Sequence, residues 1–124
     1  MDSSARLVGF VGVADLDTAQ RFYGDLLGLD LSDQRPFALV GDVAGTRVRL
    51  TAVESVSPQP YTVLGWQVDD IDAAVDDLAA RGVQFLIVDG LPQDPRGIWT
   101  APGGARIAWF HDPDENVLSL QQDS

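Results

Sequence analysis

Few side chains in this 124-residue sequence are equipped for covalent or acid–base chemistry. There is no Cys, which removes thiol nucleophiles, disulfides, zinc ribbons and iron–sulfur clusters together. The one His, His111, invites a general-base role. No Ser, Cys or carboxylate stands at a recognisable triad spacing from it, and it ends an apolar run beside a turn signal, so an exposed strand-end imidazole is expected. The only Glu residues are Glu54 and Glu115, and with a single His they cannot assemble a His/Glu metal site. Asp69, Asp70 and Asp72 cluster, but they stand where helix-capping residues belong, and capping is the reading adopted. The glycines match no phosphate-binding loop.

The elements that position these residues are written twice. Val13-Ala-Asp15-Leu16-Asp17-Thr-Ala19 matches Val68-Asp-Asp70-Ile71-Asp72-Ala-Ala74 at a constant offset (70 − 15 = 55). Leu16, Ala19, Phe22, Tyr23 and Leu26 recur at helical spacing before Gly28, and Ile71, Ala74, Val75 and Leu78 before Gly82. Helices are therefore expected over roughly 15–27 and 70–81. Alternating strands should follow each glycine, at Leu29–Leu31 and Val83–Phe85. Further on, Phe37–Asp42, a turn and Thr46–Leu50 parallel Ile107–Asp112, a turn and Asn116–Leu120, at an offset that has grown to 70 (112 − 42). The second half thus carries 16 extra residues between Gln84 and Arg106, seen from the growth of the offset from 54 (82 − 28) to 70. Insertions of that size are usually functional. Asp89–Gly97 reads as an excursion and Ile98–Arg106 as a hairpin turning at Pro102–Gly104. The fold class is α+β, two βαβββ modules at about 5–53 and 62–122 joined by a Pro-containing linker at 54–61, in one domain.

Composition bounds the rest. With 45% hydrophobic residues the chain can bury a core without staples. Net charge is −11 and all eight basic residues are Arg, which opposes binding to nucleic-acid phosphates. The same bias fits either a salt-adapted source or GC-rich coding. No apolar run approaches a signal-peptide core or membrane span, so no membrane partner and a cytoplasmic location are expected.

Asp15-Leu-Asp-Thr-Ala-Gln-Arg-Phe22-Tyr23-Gly-Asp-Leu-Leu-Gly28-Leu, with the later Phe110-His-Asp112-Pro113-Asp114-Glu-Asn116, resembles the signature of the vicinal oxygen chelate superfamily of glyoxalase, bleomycin-resistance and dioxygenase relatives. The resemblance covers essentially the whole chain. It implies an open curled sheet, a cup that holds the ligand, with helices outside, and a homodimer. Glu115 stands where that family usually has Gly, at a cost of order 1 kcal/mol if its φ is positive. Metal-dependent relatives carry His or Glu on the first and last strand of each half. Those positions here are Val8, Arg49, Val63 and Ser119, a mapping the internal repeat supports through offsets 55 (63 − 8) and 70 (119 − 49). None is a convincing ligand, and a guanidinium there repels a cation, so neither metal nor other cofactor is expected.

Strand alternation then places Phe10 and Gly12 with Val8, Arg47 and Thr51 with Arg49, Gly65 and Gln67 with Val63, and Val117 and Gln121 with Ser119. Polar groups on an apolar wall suit a small-molecule pocket. The candidate ligand-binding residues are Phe10, Arg49, Gln67, Trp99, Trp109, Ser119 and Gln121. Arg49 requires a counterion, water or a ligand oxygen. Trp99 either caps the pocket or packs on a second subunit, while Trp66, Phe22 and Tyr23 are read as core. Two functions follow. One is a metal-free binding protein for a small, partly aromatic ligand. The other is a metal-independent lyase or isomerase in which Arg49 stabilises an oxyanion and His111 or a carboxylate moves a proton. The absence of an obvious inward base favours the first.

Overall fold

A computed structural model describes residues 1–124, which form two compact units, Met1–Ser57 and Pro58–Ser124.

In the first module β1 (Val8–Val13) leads into a short helix, α1 (Leu16–Ala19), that widens without a break into a π-helix over Gln20–Leu26. Strands β2 (Leu31–Gln34), β3 (Ala38–Val43) and β4 (Thr46–Ala52) follow. Their order is β1-β4-β3-β2, with β1 parallel to β4 and the other pairs antiparallel. Asp15 caps α1, accepting from the Asp17 N–H and the Thr18 hydroxyl. The sequence periodicity locates this helix but not its widening. The Leu27 N–H reaches the Phe22 carbonyl, five residues back, and Gly24 leaves room for the Gln20 side chain to lie across the turn. Val11, Val13, Leu39, Val48 and Leu50 form the buried sheet face, and Leu16, Ala19 and Tyr23 of the helical segment are buried as well. At the β3–β4 hairpin Ala44 and Gly45 both have positive φ, 48° and 89°, as a type I′ turn requires.

The second module repeats the plan with β5 (Thr62–Gln67), α2 (Ile71–Ala80), β6 (Trp99–Thr100), β7 (Arg106–His111) and β8 (Val117–Gln122), ordered β5-β8-β7-β6. The Asp70 carboxylate caps α2 by accepting from the Ala73 N–H at 3.0 Å. Ile71, Val75 and Leu78 are its buried stripe, and Gly82 leaves the helix at φ 99°.

The expected strand at Val83–Phe85 does not form. Phe85 makes one bridge to Phe110 and the Leu86 N–H donates to the Trp109 carbonyl at 2.8 Å, after which the chain departs. It returns to the same edge of β7 as β6, where Trp99 pairs with Ile107. The extra residues thus split one edge strand in two, an outcome invisible to alternation because both pieces keep the pattern.

Candidate functional site

One face of the second sheet is built in three cross-strand rows. Gln67, Gln121, Ile107 and Trp99 form the first, Gly65, Ser119 and Trp109 the second, and Thr62, Val117 and His111 the third. The opposite face carries Leu64, Leu118 and Phe110 in one row and Trp66, Leu120 and Ala108 in the next, and it supplies the core. The polarity of the rows decides what the first face can do. The first two rows, with Thr62 of the third, bound a hollow of about 390 Å³ lined by Thr62, Gly65, Gln67, Trp109, Ser119 and Gln121, among others. A second hollow of about 410 Å³ shares Thr62 and Trp109 with it and is walled by Tyr61, Leu86, Val88, Leu91 and Val117, with His111 at its edge. Trp109 therefore stands between a polar and an apolar compartment. Trp99 stacks on it, ring centroids 6.1 Å apart and planes 29° apart.

Local sequence explains this arrangement. The paired register skips Val63 between Thr62 and Leu64, a bulge that resets the alternation. Val63, grouped with Gly65 and Gln67 on the strength of strict alternation, is consequently replaced by Thr62 in the hollow. Gly65 makes room there for the Ser119 hydroxyl, since a Cβ at that position would lie 2.6 Å from the Oγ and force it to turn. Trp66, expected to be purely core, is half-buried, stacks on Phe110 at 6.5 Å, and also borders the hollow.

The apolar wall comes from the inserted segment, and a polar lattice holds it in shape. The Gln93 side chain accepts from the Val88 N–H at 2.7 Å and donates to the Leu86 and Gly97 carbonyls, both at 2.8 Å. Asp94 accepts from the Arg96 and Ile98 N–H groups, and Arg96 ties the segment to Asp72 and Asp76 on α2. Arg106 reaches Asp72 in a two-pronged pair at 2.7 and 2.9 Å. Hydrogen bonds from Arg106, then from Arg96, hold the Asp72 carboxyl well below the usual carboxylate range. Of the acidic cluster noted in the sequence, Asp70 is a helix cap and Asp72 an ion-pair hub. Sequence reading alone did not reveal Gln93, since its role depends on which loop carbonyls converge.

In the first module Phe10, Arg49 and Val40 form one row, flanked by Gly12, Thr51 and Ala38. Phe10 is 65% exposed. Arg49 is half-buried and donates to the Gln34 side-chain oxygen at 3.2 Å, while Arg47 pairs with Asp42. The Thr51 hydroxyl oxygen, on the same face, is buried without a partner.

The positions to which the sequence resemblance assigns metal ligands hold Val8, Arg49, Val63 and Ser119, which offer one hydroxyl and one cation. No group of three His, Asp or Glu side chains is arranged to hold a metal anywhere in the chain. These residues do not fit a divalent ion. His111 is exposed at the end of β7, as expected of a strand-end imidazole.

Residues 6–120 match the family model described as Glyoxalase/Bleomycin resistance protein/Dioxygenase superfamily. The uncharacterized protein YraH of Bacillus subtilis (strain 168) is 30% identical, with 87% of this chain and 90% of that protein covered. The crystal structure of TnmS3, an antibiotic binding protein from Streptomyces sp. CB03234, is 29% identical with a TM-score of 0.72, covering 100% of this chain and 99% of that one. A superfamily member from Sphaerobacter thermophilus DSM 20745 is 26% identical with a TM-score of 0.74, covering 97% and 98%.

Proposed function

Since the chain belongs to the Glyoxalase/Bleomycin resistance protein/Dioxygenase superfamily, we propose that it is a metal-free binding protein that holds a small, partly aromatic ligand against Trp109. The observation that carries this reading is the position of Trp109, shared by two adjoining hollows and backed by Trp99. A planar ring laid on that indole gains apolar contact on one side and meets the amides of Gln67 and Gln121 and the hydroxyl of Ser119 on the other. The antibiotic-binding description of TnmS3, similar over the full chain, supports a binding role. In the polar hollow no lining side chain is titratable, while Tyr61 and His111 line the adjoining apolar one.

The test is calorimetric titration of a panel of small aromatic compounds, run beside elemental analysis of the purified protein. The expected result is saturable binding without turnover and without stoichiometric transition metal. Trp109→Ala should weaken the bound compound by roughly tenfold or more. Gly65→Ala should weaken it too, because the new methyl stands on the lining of the hollow and displaces the Ser119 hydroxyl. Catalytic turnover of the compound, or stoichiometric metal in protein purified without added metal or chelator, would overturn the reading.

A further inference from the structure

Resting on that reading, we infer that the site selects planar aromatic ligands whose polar edge donates hydrogen bonds and rejects anionic ones, and that Asp123 sets this preference by orienting Gln67 and Gln121. The two glutamines are neighbours in the β5–β8 register. The amide nitrogen of Gln67 donates to the Asp123 Oδ2 at 2.8 Å, and that of Gln121 donates to the Oδ1 at 3.1 Å. A free primary amide can turn either end toward a ligand; one pinned through its nitrogen must turn its oxygen away from the carboxylate. Neither side-chain oxygen accepts a hydrogen bond within the protein. Asp123 thus fixes the oxygen of each side chain as the end turned away from it, leaving one free N–H on each nitrogen, and adds a negative charge behind them.

No Arg or Lys side chain on the same face offsets this charge. No Arg lines either hollow, and the chain has no Lys. A ligand carboxylate at the two glutamines would set acceptor against acceptor beside the Asp123 charge and regain only part of the hydration it gives up. A ligand hydroxyl or amine N–H supplies the missing donor. Sites built around particular hydrogen bonds discriminate strongly against analogues that cannot make them.

Three compounds on one skeleton test the assignment by calorimetric titration at neutral pH: 2-naphthol, which donates; 2-methoxynaphthalene, which cannot; and 2-naphthoate, an anion. The wild-type protein should bind 2-naphthol about fivefold to tenfold tighter than 2-methoxynaphthalene, and 2-naphthoate most weakly. In Asp123→Asn, at a position exposed near the end of β8, the thermal midpoint should be unchanged while the 2-naphthol to 2-methoxynaphthalene ratio falls to about threefold or less. Were Asp123 only a repelling charge, the variant would strengthen 2-naphthoate and leave that ratio alone, which overturns the orienting role. Equal binding of all three compounds, weakened together by Trp109→Ala, overturns the donor preference and leaves the binding function standing. Binding of none overturns both.

Discussion

Arg49 holds a guanidinium half out of water with one side-chain partner, the Gln34 oxygen. The carboxylate on its face of β3, Asp42, pairs with Arg47 instead. A cation so placed leaves several of its donors without a side-chain partner. The two hollows beside Trp109 contain no Arg, so Arg49→Ala should leave the affinity for a compound held there within about twofold of wild type. The thermal midpoint should barely move, because the bond to Gln34 ends on a neutral acceptor in contact with solvent. Calorimetric titration and thermal melting of this variant check both outcomes: a loss of affinity of about tenfold or more would make Arg49 a binding residue, and a lowered midpoint would make it a structural one.

At the scale of elements, the turn that joins β7 to β8 shows how one residue type can be wrong locally and tolerated. The Asp112 carboxylate gathers the N–H groups of Asp114 and Asn116, both at 2.9 Å, and the Asn116 side-chain amide at 2.8 Å. That lattice forces Glu115 to φ 66°, a region where a Cβ is crowded. Glu115→Gly should therefore raise the thermal midpoint by about 3–5 °C, corresponding to roughly 1 kcal/mol of relieved strain, with no change in ligand affinity. A midpoint that falls would mean the glutamate contributes more than its backbone costs. This position was legible because the family resemblance places a residue that is usually Gly after the Asp-Pro-Asp run, where this chain has Glu115. So were α2 and strands β3, β4, β7 and β8, each to within about two residues, since apolar periodicity reports which face is buried. Other features were not. The bulge at Val63 changes parity without changing composition. The divided edge strand at Phe85 and Trp99 depends on where a loop returns. The Gln67–Asp123–Gln121 bridge joins residues 56 positions apart through side chains with no periodic signature. Candidate residues on regular strands were accordingly easier to place than the residues that orient them.

The charge of the whole molecule sets its response to salt. Arg35, Arg47, Arg81, Arg96 and Arg106 all stand in ion pairs with Asp, and added salt weakens each of these. The pairs lie on partly or largely exposed side chains, where a single pair contributes about 0–1 kcal/mol. Against them stand 19 carboxylates and only 8 positive charges, a net −11 packed into 124 residues. Unfolding lets those like charges spread apart, so their repulsion favours the unfolded chain, and salt relieves it by shortening the screening length from roughly 10 Å at 0.1 M to about 3 Å at 1 M. Repulsion acts among all the carboxylates, whereas each pair acts once, so the repulsive sum should prevail. The thermal midpoint is expected to rise by several degrees between about 20 mM and 0.5 M sodium chloride at neutral pH. Differential scanning calorimetry across that range checks it. A midpoint that falls instead would place the balance in the Asp72, Asp76 and Asp94 cluster around Arg96, and Arg96→Gln would then abolish the salt dependence rather than steepen it.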